Sequence, residues 1–261
     1  MKIKAYFITY KNNKELEGTM RSFSKSGILN YDHEVFIINN SVDVPVVIPD
    51  VKVRYKIVDN NTRPTFSTGH LARNWNECLI DGFRNADNPD ADIVMLCQND
   101  IRFNKNSIQK LVELHNTYSF IQDGCGDSFH SYTIESIKKV GLWDERFCNI
   151  GCQEGDYFVR QRLFNADKCT INDKRHWREH NPVETGVIVP YNTGWDREDV
   201  HHRASIKYHG ISNVIFMLKY NNASHMHWDE GWVYEMHYPQ SMMYPYFEDK
   251  FAVGNPNYIK Y

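Results

Sequence analysis

Apolar residues along the chain fall into two rhythms, short continuous runs and stretches with helical spacing. Lys2 to Tyr10 (KIKAYFITY) is β-branched and aromatic and breaks into the polar KNNKE, the pattern of a buried strand followed by a loop. Leu16, Met20 and Phe23 recur at helical spacing, with Gly27 as a stop. Glu34 to Ile38 is a second apolar run, closed by the turn-prone Asn39-Asn40-Ser41. Val51 to Val58 alternates as a third strand and ends in Asp59-Asn60-Asn61. Gly69 to Phe83 reads as a helix with Leu71, Trp75, Cys78 and Leu79 on one face. Ala91 to Cys97 is a continuous apolar run, the signature of a central strand covered on both faces. A helix from Ser107 to Tyr118 follows, with others at Tyr132 to Val140 and from Glu154 through Leu163.

This order of strands and helices predicts an α/β fold with a mostly parallel central sheet. In such sheets ligands bind beyond the carboxyl ends of the strands. Tyr10-Lys11, Asn39 to Ser41, Asp59 to Asn61 and Gln98 to Asp100 are therefore expected along one rim. No repeat, low-complexity tract or clear linker interrupts the chain. Residues 1–180 read as a core and 181–261 as an irregular C-terminal lobe packed on it, or as one continuous domain with it.

Composition narrows the class without naming it. With 30 Lys+Arg against 33 Asp+Glu in 261 residues, the net charge of -3 argues against a nucleic-acid binder. No apolar run approaches the ~20 residues of a membrane span, and MKIKAYFITYKNN lacks the apolar core of a signal peptide. A cytoplasmic protein is expected. Six cysteines are too few for a disulfide scaffold, so reduced thiols are expected. The 12 His include no pair at zinc-ligand spacing. The phosphate-loop and dinucleotide fingerprints are absent, and the loop after the first strand lacks the glycine cluster that cradles a triphosphate.

Four segments in order resemble the inverting glycosyltransferases of the GT-A fold, family 2 and its rhamnosyl- and hexosyltransferase relatives. Phe7 to Phe23 looks like that family's opening strand, Thr-Tyr-Asn loop and helix. Ile37 to Ser41 (IINNS) is similar to its V-D-N-x-S turn. Leu96 to Ile101 (LCQNDI) resembles the metal-binding D-x-D turn in a looser form. Val140 to Arg162 resembles V-G-x-F-D-E-R-F…E-D-x-D-L-x-x-R. The resemblance spans roughly residues 1–165. It implies a Rossmann-like αβα sandwich with an aromatic-rich C-terminal lobe on the acceptor side.

It also implies a chemistry. The enzyme would move one sugar from a UDP-, GDP- or dTDP-sugar to a glycan or other hydroxyl acceptor, with inversion. A divalent ion, Mn²⁺ or Mg²⁺, would neutralise the leaving diphosphate through oxygen ligands. Asp100 is the only carboxylate in Gln98-Asn99-Asp100 and the candidate ligand; Gln98 departs from a full D-x-D. A later His would complete the metal shell, with His180 named and His176 and His201 as competitors. Glu154 falls where the family carries its catalytic base, with Asp156 as the alternative. A base at a helix N-terminus is favoured in its ionised form.

Thr9, Tyr10, Asn39, Asp59, Asn61 and Asn99 are candidates for the nucleotide. Asn39 stands where the family often has an Asp reading the base edge. Arg73, with Arg63 as a competitor, is the candidate for a diphosphate oxygen, and Asp127 in GCGDSF for sugar hydroxyls. Trp143, Trp195 and Trp228 are candidates for acceptor stacking. Asp144 serves equally as a turn residue. The alternative function is a non-catalytic carbohydrate-binding protein on a similar fold, which would keep the aromatics and have no use for Glu154 with Asp100.

Overall fold

The computed structural model describes residues 1–48, 51–60, 71–147, 152–173, 180–189 and 210–216. The chain forms two compact units. One comprises residues 1–64, 91–133 and 167–197, and the other 65–90, 134–166 and 198–261, so the chain passes between them more than once.

The first unit is built on a sheet. Its elements are β1 (Lys2–Thr9), α1 (Asn13–Phe23), β2 (Asp32–Asn39), β3 (Lys56–Asp59), β4 (Ile93–Gln98), β5 (Arg102–Phe103), α3 (Ser107–His115), β6 (Phe120–Asp123), β7 (Phe129–Tyr132), β8 (Cys169–Ile171) and β9 (Ile188–Val189). Seven strands lie in the order β3-β2-β1-β4-β7-β6-β8, and β5 with β9 forms a separate antiparallel pair. Strands β1 to β4 are mutually parallel, β7 runs antiparallel to both β4 and β6, and β8 is parallel to β6. This is the mostly parallel α/β sheet expected, with β4 at its centre.

Period-two alternation explains the packing. Ile3, Ala5 and Phe7 of β1 share a face with Ile93, Met95 and Cys97 of β4, and the register sets Ile3 beside Ile93 and Phe7 beside Cys97. Leu16, Met20 and Phe23 of α1 are fully buried in the same cluster. Each such burial contributes about 1.5–3 kcal/mol. Phe23 meets Phe7 at 5.0 Å edge-on and Phe103 at 4.9 Å. On the opposite face Tyr6 stacks on Phe36 at 4.9 Å. Gly27 takes φ 93°, a conformation a side chain would oppose, as the chain leaves α1.

The third strand is shorter than the alternation from Val51 to Val58 predicts. Val53 does bury, and Val51 and Tyr55 pack beside it, but only Lys56–Asp59 pair with β2. β3 is an edge strand whose four residues are all exposed.

The second unit is helical among the described residues. It holds α2 (Leu71–Phe83), α4 (Ile134–Val140), α5 (Cys152–Phe164) and a helical stretch at 210–216. Asn76 of α2 clamps the 143–145 turn. It donates to Trp143 O at 2.9 Å and to Glu145 Oε1 at 2.8 Å, and accepts from Trp143 N at 2.8 Å. Among the described residues, no helix is long and apolar enough to cross a membrane.

One buried histidine, His130, and one half-buried, His115, predict acid lability. His115 sits between Tyr118 O and Ser131 Oγ, each at 2.8 Å. A carbonyl only accepts, so Nδ1 carries the proton and Nε2 accepts from Ser131. Burial pushes the pKa of His115 down to about 4 and that of His130, stacked on Phe120, down to about 3. The unfolded chain, with an ordinary His pKa near 6.5, binds more protons than the folded one between those values. Stability therefore rises with pH across that window and is lost as pH falls from about 6.5 towards about 4. Urea midpoints at pH 7, 6 and 5 are expected to fall in that order, and to fall less in His130→Phe. A midpoint flat across that range would contradict the assignment.

Candidate functional site

The parallel register lines the carboxyl ends of β3, β2 and β1 along one rim, with Asp59 beside Asn39 and Asn39 beside Thr9. Their side chains form hydrogen-bonded pairs along it. Asn39 Nδ2 donates to Asp59 Oδ1 at 2.9 Å and to Val44 O at 3.3 Å, while Asn39 Oδ1 accepts from Ser41 N at 3.1 Å. Asn60 repeats the pattern, donating to Asn40 Oδ1 at 2.9 Å. Asn99 Nδ2 reaches back from the end of β4 to Thr9 Oγ1 at 2.9 Å.

This geometry divides the labour among the candidates. Asn39 is buried with both ends of its amide engaged, so it orients its neighbours. Asp59 is exposed, and Asn39 holds one of its carboxylate oxygens. Thr9 is buried beneath Asn99. Tyr10 follows at the rim, with Lys11 Nζ 5.4 Å from its ring centroid and 3.2 Å from Asp43 Oδ2. Lys11 occupies the left-handed region at φ 52°, an uncommon state for a side-chain-bearing residue and frequent at binding loops. Its ammonium is held above the ordinary lysine pKa by the Asp43 hydrogen bond.

The reversed strand β7 completes the rim. Because β7 is antiparallel to β4, Phe129 at its start pairs with Cys97 near the end of β4. The 124–128 loop therefore arrives where β4 ends. Gln98 Nε2 donates to Asp127 Oδ1, so a carboxylate from this loop stands beside the Gln98-Asn99-Asp100 turn. Gln122 Nε2 ties the loop down through Gly124 O at 3.1 Å and Gly126 O at 2.9 Å, and Asp173 accepts from Gly126 N at 2.7 Å. Composition and spacing carried no sign of the Gln98–Asp127 pair, since it depends on strand direction.

Asp100 is 8% exposed at the end of this turn. His180 is fixed by its main chain, donating to Ile171 O at 3.1 Å and accepting from Ile171 N at 2.9 Å. Among the described residues, no group of three or more His, Cys, Asp or Glu is placed to hold a metal ion. A single carboxylate such as Asp100 can share a cation only where a bound ligand, such as a diphosphate, supplies further oxygens.

The remaining described candidates belong to the other unit. α5 is unusual, because Cys152 to Arg162 are all buried although Gln153, Glu154, Asp156, Arg160, Gln161 and Arg162 are polar or charged. A helix buried on every side is ordinarily apolar. Glu154 lies in its first turn and is 7% exposed. Asp156 is fully enclosed; Arg160 Nε donates to its Oδ2 at 2.9 Å, and Arg160 Nη2 lies 2.8 Å from the same oxygen in an ion pair. Arg160 also donates to Val140 O at 2.9 Å and lies 4.9 Å from the centroid of the Tyr157 ring. The four-residue spacing of Asp156 and Arg160 on one helix face was the available sign of this pair.

Trp143 is 0% exposed and stacks on Tyr157 at 4.3 Å with planes 2° apart, which assigns its ring to packing. Asp144 binds the guanidinium of Arg146 at 2.8 and 2.5 Å, the turn role. Arg73 is exposed and paired with Glu77 at 3.2 Å. Asn61, Trp195 and Trp228 lie outside the described residues, as do Arg63, His176 and His201.

No family model matches the sequence, and no curated protein does. Solved structures show likeness of chain path at low identity. S. aureus TarS 1-349 is 12% identical, with a TM-score of 0.46 over 67% of this chain. The chain spans 59% of that structure's length. The catalytic domain of Drosophila beta1,4galactosyltransferase 7, in complex with xylobiose, is 12% identical with a TM-score of 0.43, over 76% of this chain and 73% of its own. The mannosyltransferase PcManGT from Pyrobaculum calidifontis, in complex with GDP-Man and Mn²⁺, is 10% identical with a TM-score of 0.43, over 66% of this chain and 55% of its own.

Proposed function

We propose that the chain is a GT-A-type inverting glycosyltransferase, moving one hexosyl or deoxyhexosyl unit from a nucleotide-sugar to a hydroxyl of a glycan or glycoconjugate. The observation that carries this reading is the pair of polar contacts Asp59–Asn39 and Thr9–Asn99, side by side at the carboxyl ends of parallel strands, with Asp100 at the end of β4 and Asp127 beside it. It occupies the rim where open α/β sheets take their ligands. The ordered sequence motifs from Phe7 to Arg162 support it independently.

In this reading Asp59 and the Tyr10-Lys11 loop receive the nucleoside, and Asp127 accepts hydrogen bonds from sugar hydroxyls. Asp100 holds the diphosphate end of the donor together with Mn²⁺ or Mg²⁺, which when bound supplies positive charge to the leaving group. Glu154 takes the proton of the acceptor hydroxyl as that oxygen attacks the anomeric carbon from the face opposite the nucleotide. The ion pair of Asp156 with Arg160 favours Glu154 over Asp156 as the base in this reading.

A thermal-shift panel of UDP-, GDP- and dTDP-sugars, with and without Mn²⁺, tests this. One nucleotide family is expected to stabilise the protein, by about 2.7 kcal/mol at a hundredfold excess over Kd, more with Mn²⁺ than without. Silence across the panel with glycan binding retained would overturn the transferase in favour of a carbohydrate-binding protein.

A further inference from the structure

Arg102, two residues beyond Asp100, lies across the first helix in a way that its strand pairing does not require. Nη2 donates to Glu15 Oε2 at 2.6 Å, and Nη1 donates to Glu15 O at 3.3 Å, Ile101 O at 2.9 Å and Thr19 Oγ1 at 3.1 Å. The Thr19 hydroxyl is fully buried, and its oxygen is 2.7 Å from both Asn99 O and Ile101 O. It thus accepts from Arg102 and shares its proton between the two carbonyls that flank Asp100. From the other side, Asn99 Nδ2 is fixed on Thr9 Oγ1.

Gly18 makes room for this arrangement. A Cβ there would fall 2.4 Å from Arg102 Nη2 and 2.6 Å from Cζ, distances no real side chain tolerates. Gly18 is interior to α1, where glycine is disfavoured against alanine. The helix keeps its weakest-forming residue at the one position the guanidinium covers. A flat guanidinium suits the site because its donors are spread over two nitrogens, Nη2 reaching Glu15 and Nη1 reaching Thr19 and Ile101, whereas an ammonium offers its donors from one point.

We propose that Arg102, seated over Gly18 and anchored on Glu15, is a positioning residue that fixes the orientation of the Asp100 peptide through Thr19, and so sets the affinity for a metal-bound nucleoside diphosphate. This rests on the reading of Asp100 as the group facing the donor diphosphate. Arg102 does not itself touch the ligand. Through Thr19 it holds the Asn99–Asp100 and Ile101–Arg102 peptide units on either side of Asp100, so that the carboxylate meets the cation without a reorganisation cost on binding.

Gly18→Ala separates positioning from stability, because it evicts the guanidinium while improving helix propensity. The experiment is calorimetric titration of the full chain with UDP, GDP and dTDP in the presence of Mn²⁺, together with ligand-free thermal midpoints, for the native protein, Gly18→Ala, Arg102→Lys and Asp100→Asn. Gly18→Ala is expected to weaken the Mn²⁺-dependent affinity at least tenfold with a ligand-free midpoint equal to or above native. Arg102→Lys should fall between native and Gly18→Ala, and Asp100→Asn should abolish the Mn²⁺ dependence. Native affinity in Gly18→Ala would overturn the positioning role. So would a lowered midpoint with unchanged affinity, which marks the contact as structural only. If the native protein itself takes up none of the three nucleotides with Mn²⁺, the donor reading fails first, visibly in the unsubstituted arm, and the brace falls with it.

Discussion

Arg160→Met is expected to destabilise the protein by about 3–5 kcal/mol, the largest stability effect predicted for any single change here. Both partners of the Arg160–Asp156 pair are 0% exposed. Removing the guanidinium takes the ion-pair partner from the enclosed Asp156 carboxylate, and also releases Val140 O and the face of Tyr157. The penalty arises from keeping that carboxylate buried without its cation more than from the lost attraction. Asp156→Leu combined with Arg160→Met is therefore expected to recover most of the loss. Urea titration reads both outcomes as a shift in midpoint at constant slope. A loss below about 1 kcal/mol in the single variant would mean that water reaches the site.

Glu154→Gln is expected to lower the transfer rate by ~10² or more at saturating donor and acceptor, the scale of a lost general base. Gln keeps the size and hydrogen-bonding reach of Glu but cannot take up a proton. Stabilisation by the donor should persist in this variant, since the nucleotide contacts proposed above lie on other residues. Unchanged turnover would remove Glu154 from the mechanism. Asp156→Asn makes a useful contrast. It disturbs the ion pair with Arg160, so its effect is expected first in the urea midpoint.

How far the molecule was legible from its sequence depended on element length and on the range of the interactions. β1, β2, β4 and the helices α1, α2 and α3 carry enough residues to show a period, and their positions match the expectation within a few residues. β6, β7 and β8 have four, four and three residues, too few for alternation to stand out. The stretch from Tyr132 read as helix because Ile134, Ile137 and Val140 have helical spacing. That spacing is real for α4, but Tyr132 itself closes β7.

The site was legible in part for a similar reason. Rim positions follow from where apolar runs stop, so Thr9, Asn39, Asp59 and Asn99 could be named. Which of them orients and which is offered to a ligand turns on hydrogen bonds such as Asn39 to Asp59, set by register between strands. The same holds for Asp127, which reaches Gln98 because β7 reverses, and for Trp143, whose ring is spent on Tyr157. Aromatic content identifies a residue able to stack without identifying what it stacks on.

The placement of β1 inside the sheet, between β2 and β4, has a consequence for assembly. Its neighbours are β2 on one side and β4 on the other, and Ile3 waits for Ile93. At about 5–20 residues per second, synthesis leaves β1 with one edge open for several seconds before β4 emerges from the ribosome. A long-range pairing of this kind is slow to close, and an open apolar edge is a template for the wrong partner. Trimming residues 2–9 would therefore not shave the sheet. It would divide it, separating β2 and β3 from everything beyond.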